Sequence, residues 1–256
     1  MLEFVLVAEG KNDEQVIPYL ANRVLCEGAD WLRDNFEDDP ERLWQWAAIE
    51  PNPHFRYTSW GQIDKLGNTY KNKLRIFHRP GDGYRTAETR KAIALYFLLR
   101  KENPASALVL SRDLDKEPEI HRQAMETARA EVPSHPQAFP ILLASPNRVL
   151  EVWMLHGFEC ENEYEENQLK TLRQEFGFDP CTHGHHLHPD DAKAIIGKLI
   201  SDAGGNKNMA RRERCWANID LTTLEKRGEE SYLAHFLGEV KNHLLPLLTG
   251  KPTTST

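Results

Sequence analysis

Leu6-Val7-Ala8-Glu9-Gly10-Lys11-Asn12-Asp13 decides how the rest of the chain is read. An apolar run from Leu2 to Ala8, broken only by Glu3, stops at a carboxylate. A glycine follows, then Asp13, then a segment with helical spacing. A strand that ends at Glu9-Gly10 holds Glu9 at its carboxyl end, the edge of an open α/β sheet where ligands bind. Gly10 suits a tight turn there without steric cost. Asp13 suits the first turn or cap of the next helix.

Outward from this stretch, residues 13–26 read as a helix with Val16, Ile17, Leu20, Val24 and Leu25 inward. Residues 30–65 break the pattern with Trp31, Trp44, Trp46, Trp60, acidic runs and Pro40, Pro51 and Pro53. They read as an insertion with a short helix near 40–48, its tryptophans filling a small core rather than stacking on bases. Residues 73–78 alternate like a strand, and Pro80-Gly81-Asp82-Gly83 is a turn cluster. A helix over 84–101 leads to a buried strand over 106–112. Pro118 opens a helix to about 131, as proline at a first helical turn often does. Residues 139–144 form a third core strand, and Pro146 opens a helix over 147–157.

Strand and helix therefore alternate from 2 to 157, which predicts an α/β fold: a wound, mostly parallel sheet with right-handed crossovers, flanked by helices. The remainder reads as helical, over 161–176, 190–202 and 229–247. A histidine-rich loop (183–188) and a Gly-rich basic loop (204–214) separate these helices. The expected organisation is a core over 1–160 carrying the insertion, a helical C-terminal elaboration over 161–250 packed on it, and a disordered tail over 251–256.

A second strand end repeats the first. Leu110-Ser111-Arg112-Asp113-Leu114-Asp115 again runs from apolar strand into acid, and in extended chain residues i and i+2 point the same way. A third acid, Glu151, follows the next strand in Asn147-Arg148-Val149-Leu150-Glu151-Val152-Trp153. Three core strands thus deliver carboxylates to one rim. Clustered carboxylates repel unless a cation neutralises them. All-oxygen ligand sets favour Mg²⁺ or Mn²⁺, which can activate water and stabilise charge on a transferring phosphoryl group.

Several classes are disfavoured. The 256-residue chain has a net charge of −7, 40% apolar and 28% charged residues, the profile of an ordinary globular protein. No apolar run approaches the ~18 residues that span a membrane, and the start lacks the basic region of a signal peptide. A cytoplasmic location is the expectation. Cys26, Cys160, Cys181 and Cys215 form no C-x-x-C pair and read as reduced thiols. No P-loop, G-x-G-x-x-G or G-x-S-x-G motif occurs.

Glu9-Gly10-x-x-Asp13 after one strand and Asp113-x-Asp115 after another resemble the Toprim (topoisomerase–primase) domain. The insertion at 30–65 would account for their long separation. The segment around Glu151 and Trp153 is similar to a third acidic motif of stand-alone Toprim proteins, which include overcoming-lysogenization-defect nucleases of bacterial phage defence. The resemblance covers roughly residues 1–160. It implies a divalent-metal-dependent nuclease of DNA or RNA with Glu9 as ligand or general acid/base. Asp113 and Asp115 would bind the cation, Glu151 would complete or pair that site, and Asp13 would support it or bind a second ion. It also implies a basic residue for the transition state, for which Lys207 is the candidate, and an ATPase partner subunit, since this chain has no nucleotide-binding loop. A homo-oligomer is compatible with it. Lys11 and Arg112 flank the acids and could meet substrate phosphates.

Plainer readings stand beside these. Glu9 and Asp13 can be capping acids, Asp113-x-Asp115 a turn, and Glu151 a partner of Arg148. Cys181, His183, His185, His186 and His188 invite zinc, but no second arm of ligands accompanies them, and a polar loop is the favoured reading. Lys71, Lys73, Arg75, Arg79, Arg85, Arg90 and Lys91 outnumber Asp82 and Glu88, and Lys207, Arg211, Arg212 and Arg214 outnumber Glu213. Such local excess suits a phosphate-tracking groove or simply a solvated face. The functional alternatives are a non-catalytic Toprim module that binds nucleic acid or a partner, and an enzyme of phosphate transfer or hydrolysis on small nucleotides. The latter would need a nucleobase pocket, for which the insertion is the candidate.

Overall fold

The computed structural model describes residues 1–29, 31, 43–50, 52, 54–74, 83–132, 139–201 and 209–250. The expected strand residues 75–78, the turn residues 80–82, Arg75, Arg79, Lys207 and the tail lie outside them. The chain divides into two compact units. The first comprises Met1–Arg112, Glu119–Ala144 and Glu239–Thr256; the second comprises Asp113–Pro118 and Ser145–Gly238. The units meet along the chain at 112/113, 118/119, 144/145 and 238/239.

The first unit is built on a five-stranded, wholly parallel sheet. Strand β1 (Leu2–Ala8) is central, and Phe4 to Ala8 are fully buried. A strand covered on both faces reads as a continuous apolar run, as this one does. Helix α1 (Lys11–Gly28) follows, then β2 (Trp44–Ala47), which pairs with the first half of β1. Strand β3 (Thr58–Ser59) pairs with Val7 and Ala8 on the same side, so β2 and β3 are two pieces of one edge. Helices α2 (Trp60–Thr69) and α3 (Tyr84–Leu99) lead to β4 (Ala107–Ser111), on the other side of β1. Helix α4 (Pro118–Ala130) then leads to the outer strand β5 (Ile141–Ala144).

The helix expected near 40–48 is instead the edge strand β2. Its tryptophans explain why. The indole N–H groups of Trp44 and Trp46 both donate to Asn22 Oδ1 on α1, at 2.8 and 3.1 Å, and Trp46 packs edge-on against Phe4. Trp44 and Trp60 are buried against the sheet, whereas Trp31 is exposed. Helix α2 was not anticipated. Its Ser59–Gln62 capping box fixes its start, with Gln62 N–H on Ser59 Oγ and Ser59 N–H on Gln62 Oε1. Lys73 and Leu74, expected to begin a strand, donate their N–H groups back to Tyr70 O and close the end of this helix.

Glu3, the break in the first apolar run, has a buried partner. Arg100 Nη1 meets Glu3 Oε2 at 2.6 Å, while Arg100 Nε donates to Ile49 O. One guanidinium thus ties β1, the end of α3 and the loop after β2.

The second unit is helical. Helix α5 (Leu150–His156) is enclosed almost completely, with Trp153 stacked on Phe236 and its indole N–H donating to Ser231 O at 2.8 Å. Around it run α6 (Glu163–Phe176), α7 (Pro180–His183), a 3₁₀ turn (Gly184–His186), α8 (Pro189–Leu199), α9 (Met209–Ala217), α10 (Leu221–Arg227) and α11 (Leu233–Glu239). The expected histidine-rich loop is therefore mostly helical. The expected single C-terminal helix is interrupted by a π-helical turn (Val240–Leu244) before α12 (Leu245–Thr249), which belong to the first unit with Glu239. Among the described residues, no helix is long and apolar enough to cross a membrane.

Candidate active site

The sheet order β2–β1–β4–β5 gives the first unit a point where the winding order of the strands reverses. From β1 the chain winds to β2 on one side, then returns to β4 on the other. In open α/β sheets the crevice outside the carboxyl ends of two such strands is where ligands bind. Glu9 follows β1 directly, and Arg112 follows β4 directly.

Glu9 is exposed and meets Arg112, with Nε–Oε1 at 3.5 Å. The same guanidinium lies 2.8 Å from Glu88 Oε2 and 4.6 Å from the Trp60 ring centre. Trp60 is held in turn by its indole N–H on Ser111 O, 2.8 Å away. Arg112 is thus pinned between two carboxylates and an aromatic face at the end of β4. Glu88 is buried, and burial pushes its carboxyl up from the ordinary range despite nearby cations. The Tyr84 hydroxyl, hydrogen-bonded to Glu88, is pushed up to about 12.

Asp13 sits beneath this arrangement. It is 6% exposed, Oδ1 accepts from Ser111 Oγ at 2.6 Å, and Oδ2 accepts from Gly10 N–H at 3.3 Å. It therefore brackets the start of α1 to the end of β4, the capping role of its plainer reading. Gly10 differs from expectation: its backbone is extended (φ −167°, ψ −168°), and an added Cβ would meet nothing within 4 Å. It makes no turn that requires glycine. Lys11 begins α1 and is exposed.

The other acids belong to the second unit. Asp113 Oδ1 accepts from Leu150 N–H at 3.0 Å, so it caps the helix whose next residue is Glu151. Leu114 N–H and Asp115 N–H donate to Pro146 O and Arg148 O, lacing the two segments together. Asp115 has φ +54°, so the chain is not extended through Asp113-x-Asp115 and the same-side argument fails there. Glu151 lies 3.8 Å from Arg212, not against Arg148, whose guanidinium donates to Asp115 O and Lys116 O.

The donor chemistry of these five acids suits a hard cation. Among the described residues, however, no three His, Cys, Asp or Glu side chains are grouped so as to hold a metal ion. The zinc reading is likewise without a ligand group. His156 Nδ1–H donates to Cys181 O at 2.9 Å, and burial pushes the Cys181 thiol well up.

The described basic residues are largely committed. Arg90 pairs with Glu131, Lys91 with Asp64, Arg211 with Glu165 and Arg214 with Glu161. Arg211 is buried, its guanidinium over the Phe158 ring, which a solvated phosphate ligand would not be.

Sequence reasoning missed Glu88, Ser111 and Trp60 as parts of the site. The available signal was Glu88 itself, which shares a helix face with Ala92 and Leu95 by i, i+4, i+7 spacing. An acid on an apolar face needs a cationic partner. Comparison with protein-family models, curated proteins and solved structures gives no match.

Proposed function

We propose that this chain is a divalent-cation-dependent nuclease of Toprim type that cuts phosphodiester bonds in DNA or RNA. The observation that carries the reading is the switch in strand order between β1 and β4, with Glu9 following one strand and Arg112 the other. When bound, Mg²⁺ or Mn²⁺ supplies activation of water and charge neutralisation at phosphorus. Arg112 is the group that orients substrate phosphate, exchanging a carboxylate partner for a phosphate oxygen. Glu9, exposed at the end of β1, is the ligand or acid/base group there. By resemblance alone, Asp113, Asp115 and Glu151 are the cation-binding acids and Lys207 the transition-state cation, while Asp13 holds the frame of the first unit through Ser111. A role in phage defence beside an ATPase subunit rests on the same resemblance, and a cytoplasmic location is proposed with it from the sequence's want of a membrane-spanning run.

A second reading is a non-catalytic module that binds nucleic acid. Its support is that Glu9, Asp13, Asp113 and Glu151 already have protein partners.

Plasmid DNA, tRNA and nucleotides incubated with Mg²⁺ or Mn²⁺ separate the readings. Cleavage is expected with the parent and lost by at least a hundredfold in Glu9→Gln and in Asp113→Asn. The asparagine keeps an oxygen for the helix cap while removing the charge. Binding without turnover favours the second reading. Cleavage by both variants at the parent's rate overturns the first.

A further inference from the structure

A cleft of about 430 Å³ opens between the loop after β2, strand β3 and helix α2. Its size lies in the range of ~300–1,000 Å³ typical of small-ligand sites. Its lining includes Glu50, Asn52, Phe55, Tyr57, Gln62 and Lys65. None of them belongs to the acid–arginine cluster around Glu9 and Arg112. The wall residue Thr58 is fixed, its Oγ1 accepting from Ile49 N–H at 2.8 Å. Thr58 also pairs in register with Val7, two residues before Glu9, so the cleft stands at the carboxyl end of β1.

Two features narrow its ligand. Phe55 is 52% exposed and Tyr57 half-buried, which leaves two aromatic rings at an open cleft. The two carboxamides are held by their oxygens: Asn52 Oδ1 accepts from His54 N–H and Gln62 Oε1 from Ser59 N–H. Among the described residues neither NH₂ group has a partner, so each is left as a donor whose orientation the held oxygen sets. We propose that this cleft takes a nucleobase. A flat ring stacks on Phe55, the more exposed of the two rings, its carbonyl and ring-nitrogen acceptors take the carboxamide NH₂ groups, and Lys65 meets the attached phosphate. An aliphatic ligand would leave the amide donors unanswered, and a sugar could cover the rings only with its C–H faces, the alternative that the ribose 5-phosphate arm below separates. That the base belongs to a nucleic-acid strand whose backbone reaches Glu9 rests on the nuclease reading. That the cleft binds a base does not.

Equilibrium dialysis in EDTA, with the four nucleoside 5′-monophosphates and with ribose 5-phosphate, tests the site without turnover. Nucleotides are retained and the sugar phosphate is not. Phe55→Ala, an exposed change that leaves the melting temperature in place, weakens retention about tenfold. Equal retention of nucleotide and ribose 5-phosphate, no retention of either, or full retention by Phe55→Ala overturns the proposal. Cleavage assays with Mg²⁺ are scored separately, so a protein that binds nucleotides but cuts nothing loses the nuclease reading and keeps this one. An oligonucleotide with abasic positions that binds as tightly as its intact counterpart severs the link between cleft and strand.

Discussion

His156 is the buried titratable group with the plainest consequence. It has no accessible surface, its Nδ1–H is spent on Cys181 O, and its Nε2 has no hydrogen-bond partner among the described residues. Burial pushes its pKa down from 6.5 to about 4. The unfolded chain protonates this imidazole first, so between those values the unfolded state binds the extra proton and acid favours unfolding. The contribution is complete above about 6.5 and disappears as pH falls toward 4, amounting to about 3 kcal/mol. Urea midpoints at pH 7 and pH 4.5 measure it. His156→Gln should show a smaller difference between the two midpoints than the parent, and an unchanged difference would remove His156 as the cause. At the same scale, Asp13 and Arg112 show how identity and role separate. Both are polar residues beside strand ends, yet one is a buried bracket and the other a clamped cation, because of what Ser111 and Glu88 bring to them.

Among the elements, helix α5 depends on backbone approach. A Cβ on Gly157 would lie 1.5 Å from Cys215 O on α9, a backbone atom that cannot swing aside. Gly157→Ala is therefore expected to destabilise by at least about 3 kcal/mol, through forced separation of the two helices. Gly10→Ala, at an extended and unobstructed position, should stay within about 1 kcal/mol. Thermal melts of the two variants side by side check the contrast, and equal shifts would refute it. The same scale explains the misread insertion. Trp44-Gln45-Trp46 is too short to declare a period, and what made it a strand was an unfilled edge beside β1 and a shared acceptor on Asn22. By contrast, β1, β4 and β5 were legible because burial on both faces demands uninterrupted apolar runs.

For the whole molecule, the first unit is closed by residues from the far end of the chain. Glu239 is buried, accepts from Leu143 N–H at 2.7 Å, and pairs with Arg129. Glu239→Ala would leave a strand donor and a guanidinium without that carboxylate, costing about 3–5 kcal/mol. Unfolding in urea followed by tryptophan fluorescence measures it, and a loss below 1 kcal/mol would show that the C-terminal return is dispensable. No periodicity in the sequence could have announced this contact, because ion pairs between distant segments leave no local pattern.

Local sequence alone determined the alternation of strand and helix, the parallel core and the acids at strand ends, because each follows from the spacing of apolar residues and the stop that ends it. Tertiary structure alone decided which neighbours those acids have: Ser111 for Asp13, Arg112 for Glu9, the first turn of a helix for Asp113. Charge and hydrogen bonding act over a few ångströms in space, whereas the sequence records distance along the chain, and in a wound sheet the two are unrelated until the crossovers are in place.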